Sequence, residues 1–368
     1  MKTFVTLFER SSNEILLKDV GMIPFFINQH EEFQASVATC RMNGEYSYID
    51  KYLNGFKVEF IPYKFKDEWL NGVYYLIKNA SKIDILNLYH LKIKTFVDYL
   101  VYKVINRRGK VYLKLDIDCR AIQKKDGLIR TLIYKYFLKH VDYCSAESNY
   151  IIDKVEEKYG IRVKYISNGF YNFECAGKIE KDNIFLTVGR LGTEQKGTEL
   201  LLDAFAESAS KHDWKLILVG SIEEKFDTYI QNYYEKHCDL KTRVIFTGPI
   251  SSKKELQDYY NKAKVFVLPS KWESFGLVLL EALSAGCYLI GSDKIPALPD
   301  MINKGRFGQI VEYGSIKNLS CALEIASKQK YSRNRVVEEI SYANDNYRWD
   351  RIVYNLAIEL IKTMNLEE

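Results

Sequence analysis

The sequence is short of several things, and each shortage removes a class of protein. It has 6 prolines and no low-complexity stretch, which excludes a linker-rich or disordered chain. No apolar run approaches the roughly 20 residues a helix needs to cross a bilayer. The opening Met1-Lys2-Thr3-Phe4-Val5-Thr6-Leu7-Phe8 reads as a short strand without a signal-peptide cleavage pattern. The 7 cysteines are scattered and form no C-x-x-C pair, so reduced thiols in a cytosolic protein are expected. The 5 histidines are equally dispersed; no metal site is visible and no cofactor is expected. The formal net charge is only +5, and no nucleic-acid motif accompanies it.

What is present is a packable α/β pattern. An apolar content of 47% over 368 residues supports two domains, each with its own core. Short β-like runs at 4–8, 35–40, 57–61, 83–88, 111–117 and 141–145 alternate with helical patterns, which implies a parallel sheet. The second half repeats the alternation at 183–188, 215–219, 243–246, 265–268, 288–290 and 308–311. Ser252 and Glu255 have capping-box spacing at the start of a helix. The Asn168-Gly169 turn signal sets a domain boundary near residue 170.

The most informative stretch is Ser270-Lys271-Trp272-Glu273-Ser274-Phe275-Gly276-Leu277-Val278-Leu279-Leu280-Glu281-Ala282. The strand before it meets Pro269, which cannot continue a ladder. Helical spacing begins after Gly276. The amides of Gly276, Leu277 and Val278 then point out of a helix start, a place that favours anions. Glu273 and Glu281 flank it. They are either solvated surface charges or acceptors for the hydroxyls of a sugar and a ribose beside a phosphate. Such loops bind ligands at the carboxyl ends of parallel strands.

Glu273-Ser-Phe-Gly-Leu-x-x-x-Glu281-Ala resembles the paired-glutamate signature of family 4 retaining glycosyltransferases, whose GT-B architecture sets two Rossmann-like domains across a cleft. Gly189-Arg190-x-x-x-x-x-Lys196-Gly197 resembles the same family's phosphate pair. The resemblance implies an acceptor-binding domain over 1–170, a nucleotide-sugar-binding domain over 171–343, and a tail at 344–368 returning to the first. It implies that Arg190 and Lys196 neutralise a departing diphosphate, that Gly189, Gly220, Ser274 and Phe275 line the donor, and that backbone around Ile250 reads the base. Glu273 would hold the sugar and Glu281 the ribose.

On the acceptor side Gly21 is either an ordinary turn glycine or a close approach to ligand, and His90 either lines the cleft or is structural. Asp116 and Asp118 end a strand. Many members of the family have a histidine where Asp116 aligns; Asp116 departs from that pattern, and a carboxylate there could orient or deprotonate an acceptor hydroxyl, with Asp118 beside it. Basic, aromatic segments at 91–110 and 120–140 are either surface helices or a contact with the inner membrane face. The function implied is transfer of a hexose or N-acetylhexosamine, from UDP in preference to GDP, to a glycan or lipid-linked hydroxyl in bacterial surface polysaccharide synthesis. The alternatives are an epimerase or hydrolase of the same fold, or a non-catalytic nucleotide-sugar-binding subunit.

Overall fold

The computed structural model describes residues 1–42, 44–171 and 180–365. Cys175 and the end of the expected tail helix, from Leu366, lie outside them. The chain forms two compact units. Unit 1 is Met1–Ile117, Ala121–Tyr171 and Tyr347–Glu368; unit 2 is Asp118–Arg120 and Asn172–Asn346.

Unit 1 carries a seven-stranded sheet. Its strands are β1 (Lys2–Ser11), β2 (Phe33–Arg41), β3 (Val58–Ile61), β4 (Ile85–Tyr89), β5 (Lys110–Leu115), β6 (Tyr143–Ala146) and β7 (Lys164–Tyr165). The order is β3-β2-β1-β4-β5-β6-β7, and the pairings are parallel throughout. Helices α1 (Asp19–Ile27), α2 (Ser47–Tyr52), α3 (Glu68–Asn79), α4 (Ile93–Ile105), α5 (Cys119–Gln123), α6 (Leu128–His140) and α7 (Asn149–Tyr159) connect the strands. Strands β4 and β5 are buried along their whole length, as a sheet covered on both faces requires. The strand expected at 111–117 ends at Leu115, where its pairing with Ala146 stops. Asp116 therefore lies past the strand.

Unit 2 repeats the plan with six strands: β8 (Asp182–Val188), β9 (Lys215–Val219), β10 (Val244–Gly248), β11 (Ala263–Leu268), β12 (Tyr288–Ser292) and β13 (Gly308–Val311). Their order is β10-β9-β8-β11-β12-β13, again parallel. The helices are α8 (Thr198–Ser208), α9 (Asp227–Lys236), α10 (Lys253–Lys262), α11 (Leu277–Ser284), α12 (Leu298–Met301), α13 (Ile316–Lys328) and α14 (Arg333–Tyr347). In both sheets the winding reverses beside the first strand, between β1 and β4 and between β8 and β11. Such switch points open a crevice at the strands' carboxyl ends.

The tail differs from the single helix expected from Asn346 onward. Helix α14 runs through Tyr347, and α15 (Trp349–Asn365) starts two residues later. The backbone of Phe170 explains the break: its amide donates to Tyr347 O at 2.9 Å and its carbonyl accepts from the Trp349 amide at 3.2 Å. Helix α15 then buries Trp349, Val353, Leu356, Ala357 and Leu360 in the core of unit 1, against Phe4, Leu16, Ile23, Ile85 and Tyr112.

Candidate functional site

The switch point of unit 2 gathers the residues of the two motifs. The loop after β8 contains Gly189, Arg190 and Lys196; the loop after β11 contains Ser270 to Gly276. Gly220, at the end of β9, has φ +142°, and an added Cβ would fall 1.7 Å from Gly189 O. Only glycine allows the two loops to pass there. The two motifs meet through side chains. Lys196 Nζ donates to Glu273 Oε1 at 2.6 Å, and both side chains are largely buried, at 17% and 10% exposure. Ser270 Oγ donates to the same carboxylate oxygen at 2.8 Å. Gln195 Nε2 donates to Glu273 Oε2 at 3.3 Å and to Trp272 O at 3.1 Å.

Gln195 and Ser270 are thus part of the site, although they were not singled out in the sequence. Gln195 lies inside the Arg190–Lys196 spacing, and that position was the one available signal. Arg190 is exposed, and its Nη2 donates to Gln195 Oε1 at 3.2 Å. The structure thus brings Lys196, Glu273 and Gln195 into one hydrogen-bonded group, with Arg190 at its edge.

Gly276 caps α11 with φ +88°, and no side-chain hydrogen bond closes that helix start. The Leu279 amide already returns to Gly276 O at 2.9 Å, so the amides at Leu277 and Val278 are the ones left for an anion. Phe275 is 2% exposed and can offer only backbone; Ser274 is half-buried beside it. Glu281 is half-buried, and its Oε2 accepts from Tyr260 Oη at 2.7 Å. Burial, then the Glu281 charge, pushes the Tyr260 hydroxyl's pKa well up, so Tyr260 stays a donor. Ile250 is half-buried in the loop after β10.

In unit 1 the carboxyl ends of β4, β5 and β6 hold a buried polar group that sequence reading missed. Lys114 is fully buried, and its Nζ donates to Ile166 O at 3.1 Å. Glu147 is also fully buried; its Oε1 accepts from the Ile117 amide at 3.4 Å, while Oε2 has no partner. Burial and then the Asp116 charge hold its carboxyl well above the usual range. Asp19, 6% exposed, has an unpartnered Oδ2. Burial raises its pKa to about 6 against the pull of Lys114. The Tyr89 hydroxyl and Asn168 Oδ1 are likewise buried without partners. Asp116 sits within the field of this group and is half-buried. Unsatisfied polar atoms gathered at one place mark a site built for something besides packing.

One expectation on this side needs correction. Gly21 lies inside α1, fully covered, where an added Cβ would fall 2.1 Å from Leu16 O. The close approach is to the chain's own backbone, not a loop open to ligand. Asp118 is engaged locally: Oδ1 accepts from the Arg120 amide and Oδ2 from Arg120 Nη2, each at 2.9 Å. His90 follows β4 in the left-handed region, φ +65°, with Nδ1 3.0 Å from Asp116 O. Burial lowers its pKa, so the neutral ring ties the β4 loop to the β5 loop. Among the described residues no group of three His, Cys, Asp or Glu could hold a metal ion, and no helix is long and apolar enough to cross a membrane.

Comparison with known proteins places the fold among described ones. Residues 172–341 match the family of glycosyl transferases group 1. The N-acetyl-alpha-D-glucosaminyl L-malate synthase of Bacillus anthracis is 24% identical over 293 residues, 75% of this chain and 74% of that protein. Among solved structures, the HepE protein of Anabaena, crystallised with UDP, superposes with a TM-score of 0.74 at 16% identity, covering 98% of this chain and all of the other. A lipopolysaccharide outer core galactosyltransferase superposes at 0.72 with 20% identity, over 97% of this chain and 99% of its own.

Proposed function

We propose that this chain, whose residues 172–341 match the family of glycosyl transferases group 1, is a glycosyltransferase that transfers a hexose or N-acetylhexosamine from a nucleoside diphosphate sugar to a hydroxyl of a glycan or lipid-linked acceptor, with retention of the anomeric configuration. UDP is the favoured nucleotide, as the HepE neighbour was crystallised with it. The observation that carries the proposal is the Lys196–Glu273–Gln195 group at the β8/β11 switch point, beside the open amides of α11.

The chemistry follows from these groups. The diphosphate lies against Lys196, Arg190 and the Leu277 and Val278 amides, which neutralise charge as the sugar–phosphate bond breaks. Glu273 accepts hydrogen bonds from the sugar hydroxyls, and the free oxygen of Glu281 accepts from the ribose. No carboxylate is assigned as nucleophile. The acceptor oxygen attacks the anomeric carbon on the face the phosphate leaves, and its proton passes to the departing phosphate oxygen. Within unit 1, Asp116, backed by the buried Lys114, Glu147 and Asp19, is the carboxylate assigned to an acceptor hydroxyl.

The acceptor's origin is a surface glycan pathway in bacteria. Contact with an anionic membrane face fits α4 and α6. Helix α6 exposes Leu128, Ile129 and Leu132 at 77%, 75% and 59% among the exposed cations Lys124, Lys125, Arg130 and Lys135. An apolar tip ringed by lysine and arginine suits a lipid interface.

Calorimetry with UDP-, GDP- and ADP-sugars tests the donor. An acceptor screen followed by NMR of the new anomeric centre tests transfer and retention. Absence of nucleotide binding would end the proposal. So would consumption of donor with no glycosidic bond formed, which is the outcome an epimerase or hydrolase gives.

A further inference from the structure

Unit 1 holds a cavity of about 260 Å³ that the donor site does not use. It opens at the other switch point, between the carboxyl ends of β1 and β4, under the first turns of α3 and α4. Switch-point crevices are where open α/β sheets take ligands. At about 30 Å³ per water the space holds roughly nine waters, the bulk of one hexose ring.

Its wall is chemically specific. Asp98 lines it and is 8% exposed. Asp98 Oδ1 accepts from Trp69 Nε1 at 2.9 Å. Its other oxygen has no hydrogen bond among the described residues. A carboxyl buried with one oxygen unused, on the wall of a cavity, is a group waiting for a donor. Glu9 and Glu68 add two more carboxylates, while Arg10, which pairs with Glu68 at 3.2 Å, and Lys92 add two cations. Three carboxyl groups against two cations leave the wall with no net positive charge to hold phosphate or another anion. They are not clustered for a metal either. Carboxylates beside an indole and a guanidinium are the partners of a neutral ring rich in hydroxyls. The hydroxyls donate to carboxylates, ring oxygens accept from arginine, and the apolar face of the ring lies against tryptophan.

We propose that the cavity between α3 and α4 binds one neutral monosaccharide unit, with Asp98 accepting a sugar hydroxyl and Trp69 packing on the ring. Resting on the glycosyltransferase reading, it is a subsite for a sugar already present in the acceptor. The enzyme would then extend a glycan rather than start one on a bare lipid or small acid.

The test uses the full chain without donor. Ligand-observed NMR and tryptophan fluorescence follow titration with methyl glucoside, methyl galactoside, methyl mannoside and N-acetylglucosamine, each with and without saturating UDP. One of these should bind whether or not UDP is present. Asp98→Asn, which keeps the shape, should weaken it roughly tenfold or more. Gly72→Leu is the second variant. Gly72 lines the cavity, and a Cβ there meets only Leu7 methyls at 3.8 Å, so the new side chain fills the space and raises helix propensity. It should melt no lower than the parent and abolish sugar binding. Binding by none of the sugars, competition by UDP, or unchanged binding in both variants would overturn the proposal. UDP-sugar calorimetry on the same sample reports separately on the donor, so failure of the transferase reading is told apart from failure of this one.

Discussion

Removing either half of the Lys196–Glu273 pair should have two separable effects. The pair is short and largely buried, 2.6 Å with 17% and 10% exposure. Deleting one partner of a buried pair leaves an uncompensated charge, at a cost of about 3–5 kcal/mol. Residual exposure puts this case at the low end, about 3 kcal/mol. At roughly 2–4 °C per kcal/mol for a unit of this size, Glu273→Ala and Lys196→Ala should each lower the melting of unit 2 by about 6–12 °C. Removing both leaves no orphan charge, so the double variant should melt above the sum of the singles. Ligand binding then distinguishes the two roles. Glu273 competes with a diphosphate for the Lys196 ammonium. Glu273→Ala should therefore bind bare UDP at least as tightly as the parent, yet turn over UDP-sugar orders of magnitude more slowly. Lys196→Ala should lose both. Calorimetry with UDP and turnover with UDP-sugar, measured below the lowered melting point, give the four numbers. If Glu273→Ala weakens bare UDP as much as Lys196→Ala does, the division of labour is wrong. If neither single variant shifts melting, the pair is not buried as described.

Three further outcomes can be checked. Burial raises the Asp98 pKa to about 7, above its unfolded value of about 3.9. The native state therefore binds a proton that the unfolded chain has released, and stability falls as pH rises from about 4 to 7, by an order-of-magnitude 4 kcal/mol. Urea unfolding of the protein and Asp98→Asn at pH 5 and pH 8 should show the variant gaining on the parent at the higher pH; equal gaps at both pH values would refute the shift. Glu281→Ala strands the buried Tyr260 hydroxyl, at a cost of about 1–3 kcal/mol, and should also weaken UDP. Tyr260→Phe should leave UDP affinity near the parent's, and equal losses in the two would remove Glu281 from the ribose. Leu128→Glu with Ile129→Glu should cut sedimentation with phosphatidylglycerol vesicles at least tenfold, at about 1.5–3 kcal/mol per side chain removed from the lipid interface, without changing the melting temperature. A parent that ignores the vesicles would dismiss the membrane face.

The sequence disclosed the loops of unit 2 better than the buried polar group of unit 1, for a physical reason. Around Gly276 the motif is local: strand end, loop, helix start and charges follow within a dozen residues, so spacing marks a ligand loop, whereas Arg190 and Lys196 stand out only through their resemblance to the family's phosphate pair. The Lys196–Glu273 contact needed one further fact, that β8 and β11 are neighbours. The buried polar group of unit 1 has no local signature. Lys114 alternates with apolar residues in β5 and looks like a solvent-facing charge; the burial of that strand in mid-sheet puts it inside. Asp19 and Glu147 join it from α1 and the end of β6. Trp69 and Asp98 are brought together only because α3 packs on α4. Gly21 misled because a glycine inside a helix and one in a ligand loop look alike until Leu16 O is seen against it. β7, two residues long, is too short for any alternation to register.

The placement of α15 has a consequence for biosynthesis. Domains normally mature in the order a ribosome releases them. Here the first unit emerges lacking a wall of its core, because Trp349, Val353 and Leu360 are translated only after the second unit. The earlier half must wait, with Phe4, Ile23 and Tyr112 incompletely covered, until the later half has been made. A nonsense codon just before Trp349 would thus spare the second unit's sheet and cripple the first. Protease digestion of such a truncated chain should leave the fragment from about 180 to 346 intact while the N-terminal fragment is degraded; survival of both would show that the tail only decorates a core already closed.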